Sequence, residues 1–187
     1  MRLRPVFRIR ARPPIQAMLA EEDRAAVAEQ LGREPRGEMT VAHRCPCGRP
    51  DVVRTNPRLP DGTPFPTLFY LTCPRATAAC STLESQGVMR EMEQRLRDDP
   101  QLAHDYRAAH EAYLAERAEL DDVPEIDGIS AGGMPDRVKC LHVLLAHALA
   151  AGSGINPLGD EVRAAVDQWW EPTDCRLDET QPLGVET

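Results

Sequence analysis

Thr67-Leu-Phe-Tyr-Leu-Thr-Cys-Pro74 is the stretch that decides the fold. Aromatic, threonine and aliphatic side chains favour extended backbone, so Thr67 to Thr72 is predicted as the strongest strand in the chain. Pro64 and Pro66 precede it, where a missing N–H does least harm to a ladder. Pro74 follows it, in a position suited to the first turn of a helix. Cys73 therefore falls at a strand-to-helix junction. Upstream, Glu38 to Arg44 alternates around Met39, Val41 and His43, and Asp51 to Thr55 is predicted as a further strand. Cys45-Pro-Cys-Gly-Arg-Pro breaks between these two, and Pro57, Pro60, Asp61 and Gly62 form a turn before the third. The expectation is a small antiparallel sheet of about three strands.

The rest reads as helix. Ile15 to Gly32 has an apolar face of Ile15, Met18, Leu19, Val27 and Leu31, and Gly32 is a natural stop. Arg75 to Ser85, Val88 to Asp98 and Gln101 to Leu120 follow, broken by Gly87 and Pro100. Leu102, Tyr106, Ala109, Tyr113 and Leu114 form the buried stripe of the last. Arg137 to Ala151 is predicted as one apolar helix, and a final helix starts at Asn156-Pro-Leu-Gly-Asp and runs to about Trp170. The fold class is α+β, with the sheet packed against five to six helices. Residues 1–14 are expected to be a basic disordered arm, 15–170 a single α+β domain and 171–187 an acidic C-terminal tail.

The chain has 187 residues, 42% hydrophobic and 28% charged, with a formal charge of −8. At that size roughly two-thirds of the unfolded surface can be buried, so no metal or disulfide is needed merely to fold. Arg2, Arg4, Arg8, Arg10 and Arg12 leave the remaining residues strongly acidic, which argues against a broad phosphate-binding face. There is no strong nucleic-acid signature. No apolar run approaches the roughly 20 residues of a membrane span, and no export signal follows the basic start. A cytoplasmic location is expected, and six cysteines there read as thiols rather than disulfides. A protein partner or a small-molecule ligand is left open.

Cys45 and Cys47 lie on a tight turn leaving a strand, Cys73 at the next strand's exit, and Cys140 within the predicted apolar helix. Thiolates at such junctions suit zinc or an iron–sulfur cluster. On a regular helix Cys140 and His147 lie within roughly 20° of one face but about 10 Å apart along the axis, while His142 is turned about 200° away. That makes His147 a candidate for a supporting or substrate-facing role. Cys80 and Cys175 are read as incidental, and His104 and His110 as surface residues. Gly132 and Gly133, followed by Arg137 and Lys139, could cradle an anion at a helix start; Thr67 belongs to a second loop that could share such a groove. No Gly-x-Ser-x-Gly or His-Glu-x-x-His motif is present.

Several of these pieces occur together in one known family. Arg44-Cys45 with Gly48, Gly62-Thr-Pro-Phe-Pro-Thr67, Leu71-Thr-Cys-Pro74, Leu83-Glu-Ser85 with Gly87, Val138-Lys-Cys-Leu-His142 and Asn156-Pro-Leu-Gly159 resemble the bacterial domain-of-unknown-function family 501. The resemblance spans about residues 20 to 165. It implies cysteines at positions 45, 73 and 140 and a histidine at 142, with position 47 variable. The expected site is therefore Cys45, Cys73, Cys140 and His142, with Cys47 and His147 as additional ligands or supporting groups. Three cysteines with an open fourth position are what a catalytic zinc or a substrate-binding iron–sulfur cluster uses. Two other readings stand beside the metal one. Genes of that family lie near those for enolase, a small septum-formation protein and an exopolyphosphatase-like enzyme, an association and not a mechanism. The second reading is a metal-free interaction protein linked to cell division or envelope growth, its cysteines being core residues. A thiol-dependent enzyme, with a cysteine activated by His142 or His147, is the third.

Overall fold

The structure is a computed structural model, and it describes residues 19–166, 168–171 and 175. The predicted basic arm, the first residues of the predicted opening helix and most of the predicted acidic tail lie outside the described residues. The elements run α1 (Glu21–Leu31), β1 (Met39–Arg44), β2 (Pro50–Thr55), β3 (Phe69–Leu71), α2 (Pro74–Ser85), α3 (Val88–Asp98), α4 (Pro100–Ala118), a short 3-10 turn (Pro124–Ile126), α5 (Leu141–Ala151) and α6 (Pro157–Val166). This is the α+β class expected.

The three strands form one antiparallel sheet in the order β1-β2-β3. Val53 pairs with Val41 on one side and with Tyr70 on the other. The period of two sorts the side chains between two cores. Val53 and Tyr70 face a small cluster with Leu19, Val27 and Met39, and Val52, Phe69 and Leu71 face the main core. The ladder between β1 and β2 is irregular after Val41, where the register shifts at His43 and again at Arg44. A shifted register twists the strand end and re-aims the residues that follow, which here are those of the Cys45–Gly48 turn.

Helix ends follow local chemistry. Gly32 closes α1 at φ +65°, donating its N–H to Ala28 and Glu29. Asp99 starts α4 by accepting from the N–H groups of Gln101 and Leu102. Helix α5 is the centre of the main core: Leu141 and the whole run Leu144 to Leu149 are buried, and it packs against β3, α2 and α6. Its partner α6 comes so close that a side chain at Gly159 would collide with the Leu144 carbonyl.

Helix α5 begins at Leu141, four residues later than expected. A helix from Arg137 would bond the Leu141 N–H to the Arg137 carbonyl. Both groups are engaged elsewhere. Leu141 donates to Glu84 Oε1 at 2.7 Å, and the Arg137 carbonyl accepts from the Tyr106 hydroxyl at 3.2 Å. Arg137 and Lys139 donate their N–H groups back to Gly133 and Gly132. Cys140 is consequently the extended residue that precedes the helix, at φ −159° and ψ 113°.

Candidate metal centre

The six cysteines fall into two groups. The first is built on the Cys45–Gly48 turn, closed by the Gly48 N–H on the Cys45 carbonyl at 2.8 Å. Ligand atoms of Cys45, Cys47 and Cys175 all lie within 4.8 Å of one another. The Cys45 and Cys175 sulfurs are 3.5 Å apart, although 130 residues separate them in sequence. Cys73, fully buried just ahead of α2, places its thiol against that of Cys175. It is not one of the mutually close three. All six cysteines are free thiols.

Burial pushes the Cys45 thiol up to about 11 and raises that of Cys175 as well. Burial acts upward on Cys47 too, but N–H groups of Arg49 and Cys175 and the neighbouring thiols outweigh it, so the net shift is downward. Cys47 is also the least buried of the three. The group therefore combines one half-buried thiol whose surroundings lower its pKa with two buried ones that are costly to charge without a cation. Pro46, between the two turn cysteines, forms part of the wall of a cavity of about 640 Å³, with His43, Arg44, Asp160, Arg163 and Trp169 also lining it.

The second group lies where α2 ends beside the start of α5. Cys140 Sγ is 3.7 Å from His142 Nδ1, and Glu84 Oε1 is 3.1 Å from the same nitrogen. Ser81 Oγ lies 3.4 Å from His142 Nε2. Cys80, one turn before Glu84, is buried nearby, and burial pushes its thiol up to about 12. For Cys140 burial acts upward, but His142 and the Val143 N–H favour the thiolate and prevail. His142 is raised, chiefly by the Cys140 sulfur.

The expected set is thus divided. Cys45 and Cys73 belong to the first group; Cys140 and His142 belong to the second, where Glu84 joins them. The helical argument that turned His142 away from Cys140 does not apply, because Cys140 precedes the helix instead of belonging to it. Cys175, read as incidental, is part of the first group. It lay in an acidic, proline-bearing stretch beyond the family resemblance, so nothing local marked it. Glu84 had one signal, its place in Leu83-Glu-Ser85.

His147 is neither near these groups nor exposed. It is stacked on Phe69 at 5.8 Å and edge-on to Tyr113 at 5.2 Å. The Asn156 carbonyl oxygen accepts from the Gly159 N–H, which turns its amide N–H toward His147 Nδ1 at 3.2 Å. Nδ1 must then be the acceptor, so the ring is neutral with its proton on Nε2. Burial holds its pKa down at about 4. His110, expected on the surface, is buried and bonded to Ser130 at 2.9 Å, whereas His104 is exposed.

Of the expected anion loop, Gly132 and Gly133 have positive φ and sit tight against Val143 and the Arg137 carbonyl, respectively. Arg137 and Lys139 are exposed. The first N–H of α5, where an anion would bind, already holds the Glu84 carboxylate. The Thr67 carbonyl is taken by the Thr55 hydroxyl. No helix among the described residues is long and apolar enough to cross a membrane.

Neither curated proteins nor solved structures match the chain. A protein family does, over residues 41–164, a region that contains both strand-exit turns, Glu84, Cys140 and His142 but stops short of Cys175. The chain belongs to DUF501, a family of proteins of unknown function.

Proposed function

We propose that this is a metal-binding protein whose centre is a single zinc ion held by Cys45, Cys47 and Cys175, with Cys73 as the fourth donor. The observation that carries it is the 3.5 Å approach of the Cys45 and Cys175 sulfurs within a mutually close set of three. Zn–S bonds of about 2.3 Å in a tetrahedron put sulfurs about 3.8 Å apart. Around a cubane [4Fe–4S] cluster each cysteine sulfur meets a different iron and stands further apart, so the spacing supports thiols that share one metal ion. Four thiolates also match the softness of zinc. Cys73 is the candidate fourth donor because its thiol already meets that of Cys175.

Such a site is closed, and its role is to fasten the segment at Cys175 to the β1–β2 turn. The ion would stabilise the thiolates that burial disfavours at Cys45 and Cys175.

Metal analysis and a visible spectrum of the full chain purified under reducing conditions test this. Bound zinc, a colourless solution, and loss of one equivalent of metal in both Cys45→Ser and Cys175→Ser are expected. A folded protein that holds no metal, or one whose Cys45 and Cys175 are joined as a disulfide in intact-mass and peptide mapping, would overturn it. A brown protein with iron and sulfide would replace zinc with a cluster.

A further inference from the structure

We propose that Glu84, Cys140 and His142 form a second, separate metal site, taking a divalent first-row ion such as zinc and leaving its fourth position open to water or a small-molecule ligand. The inference does not depend on the all-cysteine centre, because no residue is shared.

Three donors of different type converge on one point. For a tetrahedral ion with bonds of about 2.3 Å to sulfur and 2.0–2.2 Å to nitrogen and oxygen, the expected separations are about 3.6 Å for S···N and 3.4 Å for N···O. The observed values are 3.7 Å for Cys140–His142 and 3.1 Å for His142–Glu84. Both partners face the same imidazole nitrogen. A single proton on Nδ1 shared between two acceptors aligns poorly with each, and a Cys–His–carboxylate relay would use the two ring nitrogens for the two partners. One cation between the three atoms satisfies them together. Its two positive charges balance one thiolate and one carboxylate, with the imidazole neutral.

The surroundings are arranged for that state. Ser81 Oγ sits by the outer nitrogen, Nε2, at 3.4 Å. A proton on Nε2 pointing to Ser81 leaves the Nδ1 lone pair free, the usual division of labour in a metal-bound histidine. The Leu141 N–H holds the Glu84 carboxylate at 2.7 Å. The donors come from two elements, the end of α2 and the start of α5, so their geometry is set by packing in the main core. All three residues are half-buried, and three protein ligands with an accessible fourth place are the donor arrangement of catalytic zinc. The closed cysteine centre has no such opening.

Zinc and cobalt(II) binding by the full chain separates this site from the other. Wild type is expected to bind two equivalents, and His142→Gln and Cys140→Ala each bind one fewer, with circular dichroism unchanged. In a Cys45→Ser/Cys175→Ser background, one equivalent of cobalt(II) should remain, with a weak single-thiolate charge-transfer band that His142→Gln weakens by at least tenfold in affinity. Zinc should also slow iodoacetamide alkylation of Cys140 in that background. If the double variant does not fold, the difference of one equivalent between wild type and His142→Gln decides the matter. Equal metal content in wild type, Cys140→Ala and His142→Gln overturns the proposal. So does rapid alkylation of Cys140 that zinc leaves unchanged, which would assign the thiol to metal-free chemistry.

Discussion

His147 should make the fold acid-sensitive well above the range where carboxylates titrate. The ring has no exposure, two aromatic neighbours, and an amide donor fixed against Nδ1. Its pKa is about 4 in the folded chain against the ordinary 6.5. The native state keeps the ring neutral while the unfolded chain protonates it. The stabilising contribution is therefore complete above about pH 6.5 and is lost as pH falls toward 4. At about 1.4 kcal/mol per unit, the gap of two to three units amounts to about 3 kcal/mol. The perturbation is pH, and the control is His147→Gln, which cannot titrate. Urea unfolding of both proteins at steps from pH 7 to 4.5, with chelator present to remove metal linkage, gives the difference directly. Wild type should lose stability relative to the variant by up to about 1.4 kcal/mol per pH unit below 6.5. The imidazole signals in NMR should stay in the neutral Nε2–H form to below pH 5. A stability difference that stays flat across this range, or a ring that titrates near 6.5, would refute the reasoning.

Other outcomes follow from single contacts. Gly159→Ala should destabilise by about 1–3 kcal/mol in urea unfolding, because the new methyl meets the Leu144 carbonyl and the Ala148 side chain. Its helix-propensity gain, at most about 1 kcal/mol, does not offset this. Arg117→Leu should cost about 3 kcal/mol by the same assay, since its buried guanidinium satisfies the carbonyls of Ile126 and Ile129 in the loop between α4 and α5 and of Pro66 ahead of β3. By contrast, Glu161→Gln should change stability by less than about 1 kcal/mol, because its paired hydrogen bonds to Arg95 lie in solvent. Chelation should shift tryptophan emission, since the two tryptophans, Trp169 and Trp170, stand edge-on just before Cys175 and Trp169 is buried.

The secondary structure was readable because its causes are local. Pro74 marks a start, Gly32 a stop and Pro100 a break, while the alternation in Glu38–Arg44 and the β-branched and aromatic content of Thr67–Thr72 mark strands; none of these needs a distant partner. The family, too, was visible in short motifs. Even within the sheet, though, only Phe69–Leu71 of the predicted third strand is assigned as strand, with Leu68 and Thr72 bonded to β2 through their backbones at its ends.

What the tertiary structure decided is how the thiols are divided. Sequence alone placed Cys45 and Cys73 at strand exits, and the family resemblance marked Cys140 and His142, although regular helix geometry turned the two apart. It could not tell that Glu84, from another helix, takes the Leu141 N–H that a longer α5 would have used. That hydrogen bond, together with the Tyr106 hydroxyl on the Arg137 carbonyl, keeps Cys140 out of the helix, where its sulfur meets His142. Nor could it tell that Cys175 returns over 130 residues to within 3.5 Å of Cys45. Helices and strands are specified by neighbours in the chain, whereas a cluster of sulfurs is specified by which surfaces pack together. The cysteines expected at one site fall, in the folded chain, into two separate groups.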